Sequence, residues 1–317
     1  MFHSDLLSQR MPGQAGFAEF DATIVSPELP CGASWLASCL LELGAPLLKP
    51  WGINDRDHWQ PLGGLRYRYE CPGSSWSRLV PGLVHGREFV WRRSPVPRFT
   101  HTWPGWHPST SRLIVFVRDP RDALRSDWLR HRRAGYIDSS MGLQEFTESP
   151  APGLPMPRRD GLVLFLSAWR HALACSPSAL ILRFEDYKLN ASATLNRALG
   201  YLGLRSDRKA REAALRMSDY AQVVNAERRL LAAGTVPTAL LGEGRAFAWR
   251  DAPPDQQVTP DPAMARVCHW LGYRVEEVGE CRDVAPVEQV ISALVPEGVA
   301  EPGLLSSVLA EAGLPKV

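Results

Sequence analysis

The sequence predicts an α/β fold in which helices cover both faces of a central parallel sheet. Three short apolar runs carry this expectation: Ala22-Thr23-Ile24-Val25, Arg112 to Val117 and Ala179 to Phe184. Each reads as a buried strand, and each is followed by a segment of helical periodicity. Strands that alternate with helices are the pattern of a parallel sheet buried on both sides.

After the first run comes a loop, Ser26 to Ser34, and then an apolar helix from Trp35 to Leu43 closed by Gly44. Residues 45 to 98 are rich in Trp, Pro, Gly and Arg and read as loops and short elements over a pocket. The run ending at Val117 leads into Arg118-Asp119-Pro120-Arg121-Asp122. Asp119 suits a helix N-cap and Pro120 the first helical position, which predicts a helix to about Arg133. Residues 147 to 159 are Pro-, Ser- and Gly-rich and read as a surface loop. A helix over 161 to 174, the third strand, a helix over 191 to 201 closed by Gly203, and a helix from an Asp207 cap to Arg216 follow. Beyond Asp251 a Pro-rich linker leads to helical patterns over 263 to 271, 287 to 294 and 304 to 312.

A chain of 317 residues with 45% hydrophobic residues builds a sizeable core, and a formal net charge of +2 gives no sign of a nucleic-acid binder. No apolar run is long enough to span a bilayer, and the start of the chain lacks the pattern of a signal peptide, so a cytoplasmic location is expected. The six cysteines are scattered with no CxxC pair, which argues against a disulfide framework and against a zinc site.

Three stretches carry candidate chemistry. Pro30 to Trp35 joins a strand to a helix, where unpaired amides and the helix dipole favour an anion. Gly32 lets the backbone approach it and Ser34 offers a hydroxyl. An ordinary helix cap fits these residues equally well. No Gly-Lys-Ser/Thr is present, which argues against a nucleotide triphosphatase. The second stretch sets Arg118 at a strand end and Ser126 eight residues on. An arginine fork and a hydroxyl so placed suit a phosphate, while an Arg118–Asp122 pair with Ser126 in solvent is the structural alternative. The third is Thr100-His101-Thr102-Trp103-Pro104, in which His101 is a general base or a structural histidine.

The order of the three resembles the PAPS-dependent sulfotransferases, which use 3'-phosphoadenosine-5'-phosphosulfate. Cys31-Gly32-Ala33-Ser34-Trp35-Leu36 is similar to the second half of the family's Pro-Lys-Ser/Thr-Gly-Thr/Ser-Thr/Ser-Trp-Leu. Thr100 to Pro104 follows its Lys-Thr-His-x-x-Pro, and Arg118 to Ser126 its Arg-Asn/Asp-Pro-Arg/Lys-Asp-x-x-x-Ser, the most specific of the matches. Leu182 to Lys188 looks like Tyr-Glu-Asp-Leu-Lys, and Gly242 to Arg250 partly echoes Arg-Lys-Gly-x-x-Gly-Asp-Trp. The resemblance spans about residues 22 to 275. It implies a P-loop-like three-layer fold in a sulfotransferase domain over 1 to 275, with a PAPS-binding core over about 22 to 250. Residues 276 to 317 then form a C-terminal helical extension.

By the same resemblance the enzyme transfers the sulfuryl group from PAPS to a hydroxyl, amine or amide nitrogen of a small-molecule or natural-product acceptor. Adenosine 3',5'-bisphosphate is the product and no metal takes part. His101 is the implied base. Cys31, Gly32, Ala33, Ser34 and Trp35 hold the 5'-phosphosulfate. Arg118 and Ser126 hold the 3'-phosphate, Gly244 and Arg245 close over it, and Trp35 or Phe184 packs near the adenine. A monomer or homodimer without nucleic-acid or membrane partners is expected. An acceptor pocket is expected from residues 45 to 98 and 134 to 160, with Trp51, Trp59, Trp76, Trp91, Trp103 and Trp106 as aromatic lining or as core. The family's two lysines fall at Pro30 and Phe99, with Arg92, Arg93, Arg98 and Lys49 as candidate replacements. Two other readings remain: a sulfotransferase-fold protein that binds without catalysis, and a P-loop-type small-molecule kinase.

Overall fold

A computed structural model describes residues 21–46, 58–71, 75–101, 112–150, 156–174 and 179–275. Lys49, Trp51, Trp103, Trp106 and the expected helices beyond residue 275 lie outside the described residues, as does the Trp76 side chain.

The chain opens with β1 (Ala22–Val25) and α1 (Ala33–Glu42). The 45 to 98 region, expected to be irregular, contains an antiparallel sheet of β2 (Trp59–Gly63), β3 (Arg66–Tyr69) and, after the short α2 (Ser75–Leu79), β4 (Glu88–Val90). In β3, Tyr67 and Tyr69 turn inward while Arg66 and Arg68 pair outward with Glu88. Trp59, Tyr67 and Trp91 pack as a buried aromatic cluster, so Trp59 and Trp91 are core residues.

The main sheet then forms from β5 (Pro97–Thr100), β6 (Leu113–Val117) and β7 (Ala179–Arg183). Its order is β5-β1-β6-β7 and every neighbouring pair is parallel. Between and after these strands run α3 (Pro120–Ala134), α4 (Leu143–Glu148), α5 (Arg158–Ala174), α6 (Phe184–Leu189), α7 (Ala191–Leu202), α8 (Arg208–Met217), α9 (Tyr220–Ala232) and α10 (Pro262–Trp270).

Alternate strand residues face opposite layers, as the pleat dictates. Ile24, Ile114 and Phe116 pack with α1, α7 and α8. Val25, Val115 and Val117 pack with α3, α5 and α10. Each such side chain, fully buried, contributes about 1.5–3 kcal/mol. The result is the expected three-layer α/β arrangement. The caps expected at Asp119 and Asp207 are formed, each carboxylate accepting a backbone N–H of the first turn. Asp219 and Asp261 cap α9 and α10 in the same way.

A candidate anion and acceptor site at the carboxyl edge of the sheet

In open parallel sheets ligands sit beyond the carboxyl ends of the strands, where the strand order reverses. Here β1 lies between β5 and β6, and the chain crosses it on the way from one to the other. The residues that follow the four strands surround one cavity of about 520 Å³. The loop after β1, His101 after β5, Arg118 after β6 and Phe184 after β7 all line it.

Gly32 begins α1 with φ +83°, in the left-handed region. A Cβ at this position would stand 2.5 Å from Cδ2 of Phe184, so both conformation and space require glycine. No side chain caps α1 and no acidic residue sits in its first turn, so its positive end is left without protein neutralisation. Ala33 and Ser34, at that end, line the cavity. Trp35 lies deeper, stacked on Tyr187 at 4.3 Å between ring centroids. Cys31 is buried, and burial pushes its thiol up to about 12, which leaves it protonated and inert.

Arg118 is the hub of the opposite wall. One Nη donates to the Pro30 carbonyl (3.1 Å) and to Ser126 Oγ (2.8 Å), and the other to the Arg245 carbonyl (2.9 Å). The guanidinium lies 4.4 Å over the Phe184 ring, and its buried Nε–H has no hydrogen-bond partner. Both structural alternatives are partly realised: Arg118 also stands 3.6 Å from Asp122, yet Ser126 faces the cavity. Because Ser126 Oγ accepts from Arg118, its own hydrogen is left to donate elsewhere.

A buried polar frame fixes this wall. Asp122 accepts the amides of Ala248 (3.2 Å) and Trp249 (2.8 Å), tying the segment after Arg245 to α3. Burial raises the Asp122 carboxyl above its ordinary value. Asp119 chelates Arg121 through both oxygens, and Arg121 lies 3.7 Å over Trp249. Glu185 accepts the Asp119 amide (3.1 Å) and the Tyr273 hydroxyl (2.6 Å), and burial raises its carboxyl as well. Gly244 has φ +62°, and a Cβ there would lie 2.7 Å from the Tyr220 ring. The Arg245 side chain, in contrast, turns outward to Glu243 (2.7 Å) and Asp251 (3.3 Å) and does not line the cavity.

His101 is exposed at the cavity, with Nδ1 2.9 Å from the Ser26 carbonyl and 3.3 Å from Ser26 Oγ. A carbonyl only accepts, so Nδ1 carries the proton and Nε2 is the basic nitrogen of the neutral ring.

Pro30 and Phe99 line the cavity at the two positions where the family motifs have lysines. Arg98 and Arg92 do not replace those lysines. The Arg98 side chain is buried and donates to Thr23 Oγ1, and Arg92 donates to the Leu43 carbonyl. The cavity instead receives Arg78 from α2 and Arg130 and Arg133 from α3, which the sequence reading missed. Ser126, Arg130 and Arg133 follow the spacing of one helix face, so the two α3 arginines were legible once Ser126 was singled out. Tyr220, Val223 and Glu227 of α9 share a face in the same way, and Glu227 accepts the amides of Leu240 (2.7 Å) and Leu241 (3.3 Å). This clasps the 240–244 segment over the cavity. Among the described residues no cluster of three or more His, Cys, Asp or Glu side chains is arranged to hold a metal, and no helix is long and apolar enough to cross a membrane.

No protein-family model matches the chain, and no curated protein matches it significantly. Among solved structures, similarity is found to retinol dehydratase in complex with androsterone and the inactive cofactor PAP, at 15% identity, a TM-score of 0.48 and 80% coverage of both chains. The same enzyme with retinol and PAP matches at 16% identity, a TM-score of 0.45 and 80% coverage of both. Mouse sulfotransferase SULT7A1 complexed with PAP matches at 16% identity and a TM-score of 0.39, covering 64% of this chain and 65% of that one. At scores this low the likeness adds nothing to the strand order and side-chain geometry, and the α/β class rests on those.

Proposed function

We propose that the protein is a sulfotransferase that uses PAPS and a small-molecule acceptor bearing a hydroxyl, amine or amide nitrogen. One observation carries the reading. The uncapped start of α1, the Arg118–Ser126 pair and a His101 with its tautomer set by Ser26 converge on a single cavity.

The residues fit the donor. Ala33 and Ser34 amides and the Ser34 hydroxyl would hold the 5'-phosphosulfate. The Ser126 hydroxyl and the unpartnered Nε–H of Arg118 are donors suited to the 3'-phosphate, with Gly244 on the segment beside them. Phe184 offers a ring beside them for the adenine, whereas Trp35 is committed to Tyr187. When bound, PAPS supplies an activated sulfuryl group. His101 Nε2 takes the acceptor proton as the new bond to sulfur forms and the bond from sulfur to the phosphate oxygen breaks, its electron pair leaving with adenosine 3',5'-bisphosphate. The walls hold both partners in line, which removes the entropy of bringing them together. Developing negative charge on the leaving phosphate meets the α1 terminus and the α3 arginines of the cavity in place of lysine.

Pro30 and Phe99 favour one second reading, a protein that binds the nucleotide without turning it over. Calorimetric titration with adenosine 3',5'-bisphosphate, AMP and ATP tests the donor class. Selective tight binding of the bisphosphate supports both readings, and turnover with PAPS then separates them. Absence of bisphosphate binding refutes both.

A further inference from the structure

We propose that Arg78 selects acceptors with an apolar body and an acidic group, an inference that rests on the transfer reaction above. Arg78 projects from α2 into the cavity beside Leu79. One Nη donates to the Thr238 carbonyl, while its Nε–H is buried and has no hydrogen-bond partner. The neighbouring lining residues Val223, Leu240 and Leu241 are apolar and have no part in the proposed donor site. A charged donor left unsatisfied against such surroundings is costly, and an incoming anion repairs it.

The protein does not supply that anion itself. Of the cavity's other arginines, Arg130 is matched by Asp127 at 2.5 Å and Arg118 stands 3.6 Å from Asp122, while Arg133 lies beside Gly242 at the edge of the 240–244 segment and, among the described residues, also has no carboxylate within ion-pair distance. Among the described residues Arg78 has no carboxylate within ion-pair distance. Glu227, the acid on the α9 side, is taken up by the Leu240 and Leu241 amides. Glu28, the other carboxylate lining the cavity, is exposed to solvent on the loop after β1. A neutral acceptor would leave the Arg78 donor buried and unanswered. An acidic one satisfies it with a charge-assisted bond and lays its apolar part along the leucines.

The test uses the full chain saturated with adenosine 3',5'-bisphosphate, so that the donor's anion sites are filled. It is titrated with 4-hydroxyphenylacetate and with the methyl ester of the same acid. The expected result is at least tenfold tighter binding of the acid. Arg78→Leu reduces that preference to within about twofold, and Arg78→Lys retains most of it. Arg78→Gln serves if the leucine variant does not fold. Equal affinity for acid and ester, binding of neither, or a preference that survives in both uncharged variants overturns the proposal. Failure of the bisphosphate to bind in the first step counts against the transfer reaction instead, and the acid–ester contrast is then read on the unloaded protein across the same variants.

Discussion

Replacing Asp122 by asparagine tests whether the Arg118 wall is held from behind. The Asp122 side chain is 1% exposed and accepts two backbone amides while facing Arg118. Asparagine keeps one acceptor oxygen, so one of the amides of Ala248 and Trp249 meets an NH₂ donor instead. One unsatisfied buried donor costs about 1–3 kcal/mol, and removing one partner of a buried ion pair about 3–5 kcal/mol. Arg118 retains its bonds to two carbonyls and Ser126, and burial already disfavours the Asp122 charge, so the low end of the second range applies. A loss of about 3 kcal/mol, with a urea dependence of about 3 kcal/mol per molar, lowers the urea midpoint by about 1 M. The eleven tryptophans provide the fluorescence signal. In the same variant the bisphosphate should bind more weakly by a larger factor than AMP, because the displaced segment adjoins Arg118. A midpoint within about 0.2 M of wild type, well below the shift expected from that slope, would refute the bracing role of Asp122.

His101→Gln should lower PAPS-dependent turnover by about 10²–10⁴-fold while bisphosphate affinity measured by calorimetry stays unchanged; normal turnover removes His101 from the mechanism. Gly32→Ala combines left-handed strain of about 1–2 kcal/mol with overpacking of about 1–3 kcal/mol against Phe184, and adding Phe184→Leu should recover only the second part in urea unfolding. Glu243→Gln releases Arg245 from an exposed pair, so thermal stability should stay within about 1 kcal/mol while bisphosphate affinity rises severalfold; weaker binding contradicts this. His131 is raised above the ordinary imidazole value by its hydrogen bond with Asp127. The stability it contributes is complete below the unfolded pKa of about 6.5 and is lost as pH rises through the higher folded value. His131→Gln should flatten the dependence of Tm on pH across that window, and an unchanged slope rejects the assignment.

Buried strands of the main sheet were legible where they are continuous apolar runs, as in Leu113–Val117, and helices where an Asp cap and Pro or Gly mark the ends. β5 was missed because Pro97–Thr100 contains a buried arginine, which donates to Thr23 of the neighbouring β1. β3 was present in the sequence as the alternation Arg66-Tyr67-Arg68-Tyr69, but its shortness hid it among Trp and Pro. α9 follows a usable Asp219 cap that was passed over. Of the candidate site, the local motifs led to His101 and Arg118, which directly follow β5 and β6, to Gly32 at the start of α1, and to Ser126 about two turns into α3. Arg78 comes from a different element, and nothing in its neighbours along the chain marks it. The outward turn of Arg245 depends on Glu243 and Asp251, whose competition with a phosphate is set by distance rather than by spacing in sequence.

The short stretch after α10 ties itself to the segments that follow β6 and β7. Tyr273 bonds Glu185, the Arg274 carbonyl accepts from Arg121, and the Leu271 carbonyl accepts from Arg183. A ribosome releases these residues well after the strands they fasten. Until they emerge, Glu185 lacks its Tyr273 donor and Arg121 one of its acceptors, so the Arg118 wall of the cavity stays loose while the core around β1 and β6 can already close. Vectorial synthesis therefore braces this wall late, and a nascent chain stalled before residue 271 would be folded in its middle with Arg121 and Glu185 still short of these partners.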